Sequence, residues 1–214
     1  RAALWSITLP TLLGRRKPAG APQKESSPRM QDPEVATHIL QHTLMTLRRR
    51  TRRAVPSFAS SNWSGYRQTL THYTPSESRQ KIDWVRRALE SSRPARVLDI
   101  GANTGEFSAL AASLGADVVA LERDQAAADS LFRMARERSL PIQTLHADLA
   151  RPTPAVGWRN AESLALLPRL EAQFDFVLML AVIHHLILMD QIPLPEILAL
   201  CHRLTRRHLL VEWI

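Results

Sequence analysis

From residue 95 onward the chain alternates between two textures that belong to different secondary structures. Short, continuous apolar runs appear at ARVLDI (95–100), DVVALE (117–122), PIQTLHA (141–147), FDFVLMLA (174–181) and HLLVEWI (208–214). Between them lie segments with helical spacing, EFSALAASLG (106–115), QAAADSLFRMARERS (125–139) and PLPEILALCHRLT (193–205). A strand that is apolar along its whole length must be covered on both faces. Intervening helices supply that cover, so the pattern predicts a Rossmann-like, doubly wound α/β fold with a mainly parallel sheet. Just upstream, KIDWVRRALESS predicts a further helix with Ile82, Val85 and Leu89 on one stripe. The last apolar run ends the sequence, and its strand is expected to be an unprotected sheet edge.

Charge divides the chain differently. Residues 1–60 carry 11 Lys and Arg against 3 Asp and Glu, whereas residues 61–214 carry 17 of each, so the whole net charge of +8 sits in the first quarter. We read residues 1–60 as a basic helical and linker extension and 61–214 as the folded domain. GRRKPAGAPQKESSPRMQ (14–31) has linker composition. Asp32-Pro33-Glu34 then starts a helix, with Val35, Ile39, Leu40, Leu44 and Leu47 near one face and an arginine-rich end at 48–53. Such an arm suits RNA phosphates, acidic lipid headgroups or an acidic partner, or is simply a solvated helix end. The longest apolar stretch, FVLMLAVIHHLILM (176–189), is broken by two histidines and is too short to span a bilayer. The opening RAALWSITLPTLL lacks a small-x-small cleavage site. Cys201 is the sole cysteine, so no internal disulfide and no zinc spacing exist, and a reducing, cytoplasmic setting is expected. The chain opens on Arg1 rather than Met, as a fragment or a processed product would.

The turn after the first strand, in RVLDIGANTG (96–105), uses two of only seven glycines, Gly101 and Gly105. In a doubly wound sheet the ligand sits at the carboxyl ends of the strands, and this turn is the one that cradles it. Gly101 frees the backbone to turn sharply, and Gly105 is expected to let the next helix approach the ligand. Dinucleotide folds use G-x-G-x-x-G to bring amides onto a pyrophosphate. Here the spacing is D-x-G-x-x-x-G from Asp99, and Glu106 stands at the helix mouth. A carboxylate there disfavours pyrophosphate and tolerates a cation, which argues against NAD and ATP.

That pattern resembles motif I of the class I S-adenosylmethionine-dependent methyltransferases, and the likeness continues in order along residues 60–214. Glu122 ends the second strand 23 residues after Asp99, close to the gap of about 20 for an acid on ribose hydroxyls. Asp148, in HADLA, falls where the family places an acid on the adenine amino group. More narrowly, Trp63 with Tyr66, HADLARPTPAVGW, LAVIHHL with IPL, and the closing VEWI resemble a bacterial methyltransferase family that includes host-specificity nodulation proteins. The resemblance implies S-adenosyl-L-methionine as cofactor, bound by Asp99, Gly101, Asn103, Thr104, Gly105, Glu122 and Asp148. Tyr73 and Lys81 would cover its methionine end, with Lys81 on the carboxylate. Trp63, Tyr66 and Trp84 read as helix-packing aromatics. It also implies two further strands beyond the fifth, so the chain as it stands is expected to be incomplete and inactive alone.

The acceptor half is less legible. His184 and His185 follow the fourth strand, where an imidazole can deprotonate a hydroxyl or amine. Adjacent residues point apart and no third ligand is evident, so they do not read as a zinc pair. Neither an N/D-P-P-Y/F tetrapeptide nor a cysteine follows that strand, which weighs against methylation of adenine or cytosine. The function expected is methyl transfer to oxygen or nitrogen of a small molecule or glycan. The alternatives are an RNA methyltransferase using its basic arm and a non-catalytic scaffold on the same fold.

Overall fold

A computed structural model describes residues 33–54 and 74–213, and these fall into two units divided after Pro56. Tyr73, Trp63 and Tyr66 lie outside the described residues. The first unit contributes α1 (Pro33–Ala54), with Glu34 in its first turn and Arg52 and Arg53 in its last, the placement that complements the helix dipole. Its apolar residues Val35, Ile39, Leu40, Leu44 and Leu47 are all exposed.

In the second unit, α2 (Pro75–Ser92) begins six residues before the start read from sequence. Thr74 caps it: its hydroxyl accepts from the Glu77 N–H, and the Glu77 carboxylate accepts from the Thr74 N–H. That reciprocal capping box, with Pro75 at the first helical position, was spelled out in TPSE. There follow β1 (Arg96–Ile100), α3 (Glu106–Ser113), β2 (Asp117–Glu122), α4 (Gln125–Glu137) and β3 (Ile142–His146). The remainder is α5 (Leu166–Leu170), β4 (Phe174–Met179), α6 (Ile183–Leu188), α7 (Leu194–Leu204) and β5 (Thr205–Val211). All five expected strands are present. β5 is displaced from the expected 208–214: it starts directly where α7 ends, and its pairing with β4 is irregular between Phe174 and Phe176. The short helices α5 and α6 were not anticipated, because five- and six-residue apolar segments carry too little periodicity to separate helix from strand.

The strands pair in the order β3-β2-β1-β4-β5, every pair parallel. Alternation along the strands divides the core into two faces. Leu98, Ile100, Leu121, Val177 and Met179 pack under α5, α6 and α7 with Ile183, Ile197, Cys201 and Leu204. Val97, Val118, Phe176 and Leu178 pack under α2 and α3 with Val85, Leu89 and Ala111. Leu131 of α4 covers Ala120 on that same side. Trp84 is about half exposed, so the expected helix-packing role does not hold for it.

Gly105 is the tightest point of this packing. It is the N-cap of α3 at φ 90°, and a Cβ there would lie 2.0 Å from Leu131 Cδ1 and 2.9 Å from Met134 Cε. Its small size therefore lets α4 approach the β1–α3 turn, rather than letting α3 approach a ligand. Gly115, at φ 96°, has no atom within 4 Å of the same position. Gly105→Ala is thus expected to lose about 2–4 kcal/mol, from overpacking plus left-handed strain. Gly115→Ala is expected to lose only the strain, about 1–2 kcal/mol. Urea denaturation of the two variants beside the parent separates these costs, and equal losses would contradict the packing account.

Candidate functional site

The sheet order reverses at β1: β2 and β3 lie to one side, β4 and β5 to the other. Two turns leaving the carboxyl ends of adjacent strands diverge there, and the gap between them is the natural place for a ligand. The first turn is tied through its backbone to β2. The N–H groups of Gly101 and Ala102 both donate to Leu121 O, at 2.9 and 3.1 Å. Gly101, Asn103 and Gly105 all adopt positive φ. On the far side the turn after β4 closes against it, so that a Cβ on Gly101 would lie 2.3 Å from Val182 Cγ2. Gly101 is the residue that permits this contact.

Glu122, at the end of β2, joins the turns that follow β1 and β2. Its Oε2 accepts from the Asn103 N–H and its Oε1 from the Asp124 N–H, both at 2.7 Å. Asp124 is itself the N-cap of α4, its side chain accepting from the Ala127 N–H at 2.8 Å. Burial raises the Glu122 carboxyl above its ordinary value, and the donations from Asp124 and Asn103 pull it back. Asn103 Oδ1 is buried with no hydrogen-bond partner, an acceptor that normally costs about 1–3 kcal/mol to leave unmatched.

Asp99 is only 3% exposed, and the Ser108 hydroxyl of α3 donates to its Oδ2 at 2.6 Å. Burial pushes its carboxyl up to about 6; the Ser108 hydrogen bond opposes this and the Glu122 charge adds to it. Ser108 was missed in the sequence. The signal was a hydroxyl three and four residues before Ala111 and Ala112, hence on the buried stripe of α3.

These groups surround one cavity of about 210 Å³ over the carboxyl ends of β1, β2 and β4. Asp99, Gly101, Asn103, Thr104, Glu122, Asp148, Lys81 and His185 all line it, together with Glu106. Gly105 and His184 are not on its wall. Asp148 also shapes its own turn, accepting from Ala150 N–H at 2.9 Å and from Arg151 at 3.2 Å. Asp190, after α6, bridges Arg123 at 3.4 Å and Arg151 at 3.3 Å, tying together the segments that follow β2, β3 and α6. Lys81 of α2 meets Glu212, just past β5, at 2.6 Å. The two imidazoles lie 4.0 Å apart between centroids, tilted by 41°. His185 faces the cavity, and burial first, then His184 and Arg123, lowers its pKa from the usual histidine value. His184 Nδ1 is buried without a hydrogen-bond partner.

The Asp99 carboxyl has a consequence for stability. The folded protein holds this proton up to about pH 6, whereas an unfolded aspartate releases it near 4. Between those values the folded state binds more protons than the unfolded, so stability falls as pH rises from about 4 to about 6 and stays lower above. The loss amounts to about 3 kcal/mol. Asp99→Asn removes this term, so the variant's stability relative to the parent is expected to rise across that window and then level off. Denaturation at pH 4.5, 6 and 7.5 measures the difference, and a pH-independent one would refute it.

A sequence model described as a methyltransferase domain matches residues 70–206, more than half of the chain. The chain is 33% identical over 140 residues to the nodulation protein NoeA of Rhizobium meliloti (strain 1021). That match takes in 65% of this chain and 29% of the relative's length, so the chain spans less than a third of that protein. Among solved structures, WbdD is similar at 23% identity and TM-score 0.48, covering 63% of this chain and 29% of that one. PH0226 from Pyrococcus horikoshii OT3 is similar at 18% identity and TM-score 0.48, covering 70% and 62%. A SAM-dependent methyltransferase from Agrobacterium tumefaciens is similar at 21% identity and TM-score 0.42, covering 59% and 40%. With its family match lying over a parallel sheet whose switch point carries this cavity, the chain belongs to the methyltransferase-domain family, the class I S-adenosylmethionine-dependent methyltransferases.

Proposed function

We propose that the protein transfers a methyl group from S-adenosylmethionine to oxygen or nitrogen of a small molecule or glycan. The cavity at the switch point, with Asp99, Glu122 and Asp148 on its wall, is the observation that carries this reading. The wall fits the cofactor in three respects. Four carboxylates, Asp99, Glu106, Glu122 and Asp148, face Lys81 and Arg123, a balance that suits a sulfonium cation and repels a pyrophosphate. A carboxylate has about four lone-pair sites, so Glu122 keeps acceptor capacity for ribose hydroxyls beyond the two backbone N–H groups it binds. Asn103 Oδ1 is an acceptor still waiting for a donor. Gly101, Asn103, Thr104 and Asp99 would form the floor, Glu122 and Asp148 the adenosine side, and Lys81 the carboxylate end. Gly105 would act at one remove, by seating the turn on α4. Tyr73 keeps its proposed place at the methionine end, although it lies outside the described residues.

When bound, the sulfonium supplies an already activated methyl group. The chain's work is then to align the acceptor and exclude water, a problem of proximity and orientation. His185 is the side chain placed to assist. Its lowered pKa keeps the imidazole neutral near pH 7, able to take the proton that an acceptor hydroxyl or amine loses as its oxygen or nitrogen bonds to the methyl carbon. His184, in tilted ring contact with it, would hold the ring in place.

The methyltransferase unit is taken as residues 61–214 and the basic extension as 1–60. No helix among the described residues is long and apolar enough to cross a membrane. Cys201 is a buried free thiol whose pKa burial pushes up to about 11, so it is unreactive; use of a single cysteine supports a reducing cytoplasm, and the likeness to a rhizobial protein supports a bacterial origin. RNA methylation is the second reading, favoured by the arginines at the end of α1. It requires RNA binding that weakens steeply with salt, and salt-insensitive or absent binding excludes it.

Calorimetry of the complete protein with S-adenosylmethionine is the primary test. Binding is expected, and Asp99→Ala is expected to weaken it by more than tenfold. No heat of binding would leave a scaffold on this fold as the answer. His185→Asn is expected to lower kcat by about 10²–10⁴ without changing cofactor affinity. In the parent, kcat should rise to its plateau through a pH below the usual histidine range of about 6.5. Retention of full kcat in the variant would remove His185 from the chemistry. Incubation with methyl-labelled cofactor and cell extract would then identify the acceptor.

A further inference from the structure

None of the 22 residues of α1 is buried. Helices in proteins draw most of their stability from packing an apolar face against something else, and α1 has such a face. At about 100° per residue, Leu40, Leu44 and Leu47 fall along one side, with Ile39 beside them. Ile39 is 47% exposed and the three leucines 58%, 56% and 52%. The same helix carries five arginines, Arg48, Arg49, Arg50, Arg52 and Arg53, against one acid, Glu34. None of the five makes an ion pair among the described residues. By the same rotation Arg48 and Arg50 flank the leucine side, one on each edge, and Arg49, Arg52 and Arg53 lie away from it.

A partner for this helix must therefore supply apolar cover and negative charge together. RNA supplies phosphates but leaves the leucines in water. A second copy of the helix covers the leucines at an electrostatic cost. Parallel pairing sets one arginine end against the other, and antiparallel pairing offers each arginine end a single Glu34. A bilayer containing acidic lipids meets both demands at one surface. Leucines enter the acyl boundary, and arginines at the edges of the apolar side extend their charged heads to the phosphates.

We propose that α1 is an interfacial helix that seats the chain on an anionic membrane surface, with its leucine side in the acyl boundary and its five arginines on the headgroups. Such a helix lies along the surface rather than through it, and α1 is not long and apolar enough to cross a bilayer. The proposal does not depend on what the methyltransferase unit methylates.

The test sediments the complete protein with vesicles of phosphatidylcholine, alone or with about 30% phosphatidylserine. Binding to the anionic vesicles is expected to be at least about tenfold tighter and to weaken as salt rises. Leu40→Gln, Leu44→Gln and Leu47→Gln together are expected to abolish it. Arg49→Gln, Arg52→Gln and Arg53→Gln together are expected to weaken it about tenfold or more, and lysine at the same three positions to restore it. The altered side chains are all exposed, so the methyltransferase unit is expected to unfold at the parent's temperature in every variant. No binding of the parent to anionic vesicles overturns the proposal. So does binding that survives in the leucine variant, since charge alone would then account for it. RNA binding without vesicle binding assigns the arginines to RNA, and a dimer that the leucine changes abolish, again without vesicle binding, assigns the stripe to a second copy. Either result overturns the proposal. A failure to bind S-adenosylmethionine would bear on the methyltransferase reading alone.

Discussion

Two backbone N–H groups, one from each of two separate turns, converge on the carboxylate of Glu122, and the shape of the cavity depends on that convergence. The turn after β1 has three left-handed residues in five, a conformation that does not hold itself. Glu122 holds it from below at Asn103, while Leu131 and Met134 fill the space that Gly105 leaves. Remove the carboxylate and Asn103 loses its anchor, Asp124 loses a partner for its own N–H, and the start of α4 loosens with it. One acid on a central strand thus sets the relative position of two turns.

The fold was legible because its signals are local and repeated. Continuous apolar runs can only be doubly covered strands, and five of them separated by helices leave little choice of architecture. Part of the cavity wall was legible for a related reason: it lies at strand ends, so Asp99, Gly101, Glu122 and Asp148, which line it, could be singled out from the strand ends and the family resemblance. Residues that act across the chain were not. Ser108 looks like any helical serine until Asp99 is found beneath it, and Glu212 acquires meaning only from Lys81, which lies far away in sequence. Short helices escaped as well, since α6 carries both histidines on six residues that alone are equally compatible with the end of a strand. The capping box of α2 was present in the letters TPSE, yet the helix was started only at Lys81.

The site is assembled from arrangements that the folded protein would be more stable without. Asp99 is an acid in an apolar layer, Asn103 has a buried acceptor without a donor, and Lys81 and Glu212 are partly withdrawn from water. Each opposes folding, and Asp99, Asn103 and Lys81 line the same cavity, with Glu212 paired to Lys81. Such a concentration is expected where a sequence is constrained by binding rather than by stability alone.

The contact between Gly101 and Val182 separates what can change in this protein from what cannot. There the turn that forms the cavity floor touches the turn that leads into α6, with no room for another atom. Beyond Val182, however, α6 is a single short helix whose last residue, Leu188, and the following Met189 are largely in solvent. The outer end of that helix is therefore free to change in sequence while the packed floor of the cavity is not.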